Sequence, residues 1–93
     1  MNLRKEARDR PCMIRLPGVC TFNSETTVLA HLRMAGITGG GQKAPDLLGA
    51  WACSTCAAQT ENGYCRNDED KIAFFEGVMR TQYELINEGK VKW

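Results

Sequence analysis

Four of the five cysteines in this 93-residue chain fall into two pairs with metal-binding spacing. Cys53 and Cys56 are two residues apart, so both thiolates on a tight turn can reach one ion at about 2.3 Å. Cys12 and Cys20 enclose seven residues, and the turn signal Pro17-Gly18 between them predicts a short hairpin or knuckle that brings the thiols together. A tetrahedral structural site needs four ligands, so the two pairs together predict one structural zinc ion.

The same residues allow another arrangement, a Cys12–Cys20 disulfide beside an unrelated Cys53/Cys56 redox pair. The N-terminus has no apolar signal-peptide core, and no apolar run reaches the roughly 18–20 residues that span a bilayer. We therefore expect a cytoplasmic protein whose thiols stay reduced. The chain also lacks the βαβ pattern of thioredoxin-like proteins. Both observations favour zinc and leave Cys65 outside the site.

His31 is the single histidine of the chain, and it lies between the two cysteine pairs. An imidazole in that position could accept a proton from water that attacks a phosphodiester, given a divalent cation to hold the phosphate. A histidine on a strand is also common as a purely structural residue. The sequence alone leaves both roles open.

The charge of the chain is divided unevenly. The net charge is +1, but residues 1–45 carry seven Lys/Arg and three Asp/Glu, whereas residues 46–93 carry five and eight. The first half could therefore face phosphates while the second half supports it, although a solvated surface of mixed charge has the same composition.

The elements that position these residues can be read from local patterns, and they predict an α+β fold in one domain over residues 1–93. Residues 26–33 read as a strand with Val28, Ala30 and Leu32 on one face and Leu29, His31 and Arg33 on the other. The remaining predictions are a short basic helix over 3–9, a glycine-rich loop over 36–45, a second strand or extended segment over 46–52, and a short helix from residue 57.

The C-terminal segment has the clearest helical pattern. Asn67 is a suitable N-cap, acidic residues follow it, and Gly89 ends the pattern. Apolar side chains recur at spacings of three and four residues, and we expect this stripe to pack in the core. The stripe consists of Ile72, Phe75, Met79, Tyr83 and Ile86, with Val78 and Leu85 beside them. With 43% hydrophobic and 25% charged residues, the chain has the composition of a globular domain whose small core gains from a metal ion.

Taken together, these motifs resemble the HNH, or His-Me finger, endonuclease family, and most closely the small lambdoid phage and prophage nucleases of the YbcO type. The resemblance extends over nearly the whole chain. It is carried by Cys12…Cys20, Leu29-Ala30-His31-Leu32-Arg33, Pro45-Asp46-Leu47-Leu48, Ala52-Cys53-Ser54-Thr55-Cys56, Glu76-Gly77-Val78-Met79-Arg80-Thr81-Gln82 and Glu88-Gly89-Lys90-Val91-Lys92.

The resemblance implies a zinc-clasped ββα-metal core followed by a long C-terminal helix. The family's general-base histidine falls on His31, and its middle asparagine falls on Asp46. Two positions that usually hold the catalytic Mg²⁺ or Mn²⁺ fall on Ala30 and Ala57, which have no ligand atoms. Substitute ligands could come from Asp46, Gln59 or Glu61.

Two functions follow from the resemblance. The first is a phage-type DNA endonuclease in the bacterial cytoplasm, with His31 as base, Asp46 beside it, Arg33 and Lys43 as phosphate contacts, and Mg²⁺ or Mn²⁺ as catalytic cation. The second is a catalytically degenerate, zinc-clasped adaptor that binds DNA or a host recombination or repair protein. Plasmid cleavage that depends on His31 would distinguish the first from the second.

Overall fold

The protein is described here by a computed structural model, which covers residues 2–32, 44–60 and 67–91. Three helices and two strands follow one another in the order α1 (Leu3–Glu6), β1 (Val28–His31), β2 (Gly49–Ala52), α2 (Ser54–Thr60) and α3 (Asp68–Asn87). Short 3₁₀ turns over Ser24–Thr26 and Asp46–Leu48 precede the two strands. The architecture is α+β, as the sequence predicts. None of the described helices has the length and apolarity needed to cross a membrane.

The sheet is an antiparallel pair in which Val28 lies opposite Ala52 and His31 lies opposite Gly49. Both strands are shorter than predicted. The side chain of Asn23 accepts a hydrogen bond from the backbone N–H of Glu25, and this cap holds the residues before β1 in a 3₁₀ turn. The predicted second strand likewise begins only at Gly49, because residues 46–48 form the other turn. The other predicted possibility for residues 46–52, an extended segment leading to Cys53, is therefore also wrong for residues 46–48.

The sheet separates two apolar clusters. Successive side chains of β1 therefore pack into different clusters, one on each face of the sheet. Ala30 and Leu32 belong to the cluster that contains the thiols of Cys12, Cys53 and Cys56. Leu29 belongs to the other cluster, where it packs with residues that include Trp51. The predicted separation of these faces is confirmed, except that Val28 at the end of the strand is exposed.

The N-terminal helix is tied to the end of α3 by a group of charged side chains. It is shorter than predicted, since α1 ends at Glu6 and a turn follows. Arg10 stacks over the ring of Trp51 at 4.6 Å and forms ion pairs with Glu6 and Glu88. Lys90 pairs with the same two carboxylates. We call these four charged residues the terminal clasp.

The long helix α3 begins where the sequence predicts. Asn67 accepts a hydrogen bond from the backbone N–H of Asp70 at 2.9 Å, which is the expected N-cap geometry. The helix ends before Gly89, whose φ of 72° is favourable for glycine. The local signals at both ends of this helix are therefore confirmed.

The face of α3 that packs in the core is not the predicted one. The side turned to the rest of the protein carries Phe74, Gly77, Val78, Thr81 and Leu85. The predicted core residues Ile72, Phe75, Met79 and Tyr83 are exposed instead. A Cβ at Gly77 would lie 2.9 Å from Ile14 Cγ1, and the Thr81 hydroxyl accepts the backbone N–H of Trp51 at 3.0 Å. Close approach thus selects the face with small residues. The prediction was wrong for the four exposed residues of the stripe, whereas Ile86 is partly buried and its neighbours Val78 and Leu85 are buried.

Candidate functional site

The four paired cysteines come together in one cluster. The sulfur atoms of Cys12, Cys20, Cys53 and Cys56 all lie within 4.8 Å of one another. All four residues are free thiols, so the alternative of a Cys12–Cys20 disulfide is not realised. Three of them are buried, while Cys20 is partly exposed. The described part of the chain contains no second group of three or more such ligands.

The four sulfur atoms are positioned by turns and by the first turn of helix α2. The predicted hairpin between Cys12 and Cys20 is a turn without paired strands, in which the carbonyl of Leu16 accepts the N–H groups of Val19 and Cys20. On the other side, β2 runs directly into Cys53, and Cys56 lies in the first turn of α2. The second pair is therefore held by regular structure on both sides, because it joins a strand to a helix.

Backbone N–H groups point at the sulfurs, as they do around metal-bound thiolates. The N–H of Arg15 lies 3.5 Å from Cys12 Sγ, and that of Phe22 lies 3.4 Å from Cys20 Sγ. Arg15 and Phe22 both have positive φ, at 55° and 56°. This is a strained conformation for residues other than glycine, and it occurs here beside Cys12 and beside Cys20. These donors stabilise negative charge on sulfur.

The fold shifts the pKa values of Cys20, Cys53 and Cys56 in different directions. Burial raises the pKa of Cys53, but hydrogen bonds from the N–H of Cys56 and from Thr21 lower it to about 6. Burial and the neighbouring Cys12 raise the pKa of Cys20 to about 11. Burial also raises the pKa of Cys56. Four thiolates in this volume would repel one another, and a divalent cation removes that repulsion.

The spacing of the sulfurs fits a tetrahedral ion. With metal–sulfur bonds of about 2.3 Å, the edges of a sulfur tetrahedron are about 3.8 Å long. The Sγ atoms of Cys20 and Cys53 are 3.8 Å apart. The cluster can therefore hold a metal ion such as zinc with little rearrangement.

A second region of interest is a groove of about 700 Å³ between α1, β1 and the start of α2. His31 lines this groove, with 12% of its side chain exposed. Its Nε2 lies 2.7 Å from Oδ1 of Asp46. The exposed Arg4 also reaches this carboxylate, at 3.4 Å. The fold thus pairs His31 with Asp46, two residues that the resemblance singles out separately.

The charge of Asp46 determines which nitrogen of His31 carries the proton. The hydrogen bond from His31 and the nearby charge of Arg4 lower the pKa of Asp46, so the carboxylate is ionised at neutral pH. An ionised carboxylate only accepts hydrogen bonds. The Nε2–H of His31 must therefore donate, and Nδ1 is the basic atom of the neutral ring.

The groove also contains residues that the sequence analysis did not select. Arg4 and Arg8 line it from the N-terminal segment. The sequence did contain a signal for this pair. The two arginines are four residues apart on the predicted basic helix, and residues at that spacing lie on one face of a helix. The predicted phosphate contacts Arg33 and Lys43 lie outside the described residues. So do Glu61, Cys65 and nearly all of the predicted glycine-rich loop.

The two alanines at the family's usual metal positions do not lie on the groove. Ala30 and Ala57 are 0% and 2% exposed and pack in the cluster that contains the thiols. Among the described residues, no third His, Cys, Asp or Glu side chain joins His31 and Asp46 in a metal-binding group. This part of the chain therefore does not provide a complete site for Mg²⁺ or Mn²⁺.

Comparison with known proteins gives a consistent result. The family described as "Putative nuclease YbcO" matches residues 1–90. The proteins called "Putative nuclease YbcO" from Escherichia coli (strain K12) and "Putative nuclease ybcO" from Enterobacteria phage 82 are each 43% identical over 98% of this chain and 97% of their own length. A solved structure, titled "Structure of a putative bacteriophage protein from Escherichia coli str. K-12 substr. MG1655", is 38% identical with a TM-score of 0.76, covering 95% of this chain and 100% of its own.

Proposed function

The chain belongs to the YbcO family, and from its groove and cysteine cluster we propose that it is a zinc-clasped DNA endonuclease of the HNH type. The observation that carries this proposal is the 2.7 Å contact between Asp46 and His31, which lines an open groove. The order of β1, β2 and α2, with His31 at the end of β1, is that of a ββα-metal core and supports the same assignment. The names of the relatives support a nuclease in general.

Zinc is the structural ion in this proposal. Cys12, Cys20, Cys53 and Cys56 bind it, and all four ligand positions are filled by protein, which is typical of structural rather than catalytic sites. The ion joins the turn after α1 to the junction of β2 and α2. It therefore holds β2 in place beside β1, where His31 lies.

His31 acts as the general base. Its Nδ1 takes a proton from water as the water oxygen bonds to phosphorus, and the bond from phosphorus to the leaving sugar oxygen breaks. Asp46 keeps the proton on Nε2 and stabilises the imidazolium that forms, as a carboxylate does in other Asp–His pairs. The leaving oxygen, on the opposite side of the phosphorus, takes a proton from solvent water.

The resemblance to HNH endonucleases implies a catalytic Mg²⁺ or Mn²⁺. The described residues do not provide all the ligands that such an ion needs. Such an ion would supply Lewis-acid stabilisation of phosphate charge. Mg²⁺ sites often use one or two carboxylates and take the remaining ligands from substrate phosphate and water. Asp46 is the carboxylate next to His31, so we expect cleavage to need higher cation concentrations than a well-ligated site.

Basic side chains hold the substrate backbone. Arg33 and Lys43 are the phosphate contacts that the sequence suggests. Arg4 and Arg8 stand on the wall of the groove and are placed to do the same. Arg4 pairs with Asp46 when no DNA is present, and its side chain is 61% exposed, so it is free to turn towards a phosphate.

A second function is favoured by one observation. Ala30 and Ala57 are buried, and among the described residues no third His, Cys, Asp or Glu groups with His31 and Asp46. A catalytically degenerate adaptor that binds DNA, or a host recombination or repair protein, requires no such ligand. In that case the groove would bind without cleaving.

The test is cleavage of supercoiled plasmid and of branched DNA with Mg²⁺ or Mn²⁺ over a range of concentrations. The endonuclease should cut, and His31→Ala should reduce the rate by about 10²–10⁴-fold, the usual contribution of a general base. Zinc content and melting temperature should be unchanged in that variant. Intact DNA under both cations, with DNA binding retained, would establish the adaptor instead.

A further inference from the structure

Four of the five residues of the apolar stripe of α3 are exposed in the described structure, and the fifth, Ile86, is partly buried. Ile72, Phe75, Met79 and Tyr83 are 57%, 44%, 67% and 64% exposed. They lie on the side of the helix away from its buried residues, so α3 is apolar on two nearly opposite sides. Contiguous exposed apolar surface of this kind is typical of an interaction site.

The spacing of the stripe is symmetric about Met79. Phe75 and Tyr83 lie four residues on either side of it, and Ile72 and Ile86 lie seven residues on either side. A second copy of α3, turned end for end about an axis at Met79, therefore places Met79 against Met79, Phe75 against Tyr83 and Ile72 against Ile86. This self-complementarity is what a two-fold interface requires. We propose that the stripe is a homodimer interface in which two α3 helices pack antiparallel about Met79.

The charges that flank the stripe agree with this arrangement. Glu76 and Arg80 lie on the same side of it, three residues before Met79 and one residue after it. In the antiparallel pair, Glu76 of one copy comes within about 3 Å, along the helix axis, of Arg80 of the other. Arg80 is held in position because it donates a 2.7 Å hydrogen bond to the carbonyl of Met13. Glu76 and Arg80 also lie 3.9 Å apart within one chain, so the antiparallel pair would join two such ion pairs into a group of four alternating charges.

The surface has a shape and an area suited to a reversible dimer. A shallow groove of about 350 Å³ runs along the stripe and is lined by Ile72, Phe75, Glu76, Met79 and Arg80. In the proposed pair, Tyr83 of the second copy lies opposite Phe75 and enters this groove. The four exposed side chains offer on the order of 500 Å² per copy, against roughly 800 Å² for a standard interface. Two copies would therefore bury about 1,000 Å² in total, the size of a weak or transient interface.

The interface is separate from the groove that contains His31. No residue of the stripe lines that groove, so both copies of the groove stay open in the dimer. The proposal therefore does not depend on nuclease activity. It predicts association even if the protein never cleaves DNA.

The test uses the full zinc-loaded chain and charges placed on the axis. Met79→Asp and Met79→Lys each bring like charges together in a homodimer, which should weaken association by at least about a hundredfold. An equal mixture of the two variants should dimerise again, because position 79 of one copy faces position 79 of the other. Met79→Leu should behave as wild type. Val28→Asp is the control for loss of an exposed apolar side chain elsewhere, since Val28 is 44% exposed.

Sedimentation equilibrium gives the mass in each case, and zinc content and circular dichroism show that each variant is folded. Wild-type protein with twice the mass of one chain, monomeric single variants and a dimeric mixture support the proposal. A monomeric wild type overturns it. A dimer that survives Met79→Asp, or a mixture that stays monomeric, also overturns it, because the contact would then lie elsewhere or have another symmetry.

Discussion

The cysteine cluster and the His31 groove are both built at the ends of the same two strands, but they are held in different ways. The cluster takes four ligands from its own chain, buries most of them and supplies backbone donors to the sulfurs. The groove has one close pair, His31 with Asp46, and a wall that is kept in place by surface ion pairs. The cluster can thus supply all the ligands of a metal ion, whereas in the proposed function the groove would take its remaining ligands and contacts from the substrate.

Because of this difference, we expect the cysteine cluster to determine the stability of the protein and the groove to determine its activity. The apolar core of so short a chain is small, and a metal-bound cluster inside that core contributes to folding directly. A groove that is open to solvent can be altered with little cost to the fold. Changes at the cluster should therefore unfold the protein, and changes at the groove should leave a folded protein with altered chemistry.

The largest effect is expected at the cluster. Removal of zinc, or Cys53→Ser, should unfold the domain or destabilise it severely, because structural zinc contributes about 10–16 kcal/mol in small peptides while a domain's stability is about 5–15 kcal/mol. Thermal unfolding with and without a chelator measures this. Cys65→Ser is the matched control and should be close to neutral. A melting temperature that is unchanged after verified zinc loss would show that the core is sufficient alone.

A smaller effect, on activity only, is expected at Asp46. Asp46→Ala removes the group that holds the tautomer of His31, and the loss of such a supporting contact commonly costs about 10–100-fold in activity. Plasmid cleavage rates at saturating cation measure it. Glu25→Ala removes another carboxylate from the same groove and should have little effect. If Asp46→Ala released zinc or lowered the melting temperature strongly, the two regions would not be separable as described.

The smallest effect is expected at the terminal clasp, which holds α1 and thus one wall of the groove. Hydrogen bonds from Arg10 and Lys90 lower the pKa of Glu88 from 4.5 to about 2. Since the folded-state value is the lower one, the stabilisation is fully present above about 4.5 and is lost as the pH falls towards 2. Glu88→Gln should cost about 1 kcal/mol at most, because the pairs are at the surface.

Thermal unfolding of the zinc-saturated protein tests this estimate. The difference between wild type and Glu88→Gln should be constant from about pH 8 to about pH 5 and should shrink in high salt. A difference that varies within that range, or one that salt does not change, would contradict the assignment of the clasp as an exposed ion-pair network.

The features that the sequence by itself determined are those with local causes. The cysteine pairs lie on short turns or at a helix start, so their spacing was sufficient to identify the cluster. Asn67 and Gly89 bound α3 as predicted, because capping depends on residues within one helical turn. The alternation along β1 likewise gave the correct division of Ala30 from Leu29.

Tertiary structure alone decided which residues meet and which face is buried. His31 and Asp46 are fifteen residues apart, and the antiparallel register of β1 and β2 brings them together. The periodicity of α3 allowed either of two apolar faces to pack inside. The protein buries the face with Gly77 because only a residue without a Cβ allows the helix to approach Ile14 so closely. Hydrophobic spacing records which residues share a side, but close packing against a distant segment decides which side turns inward.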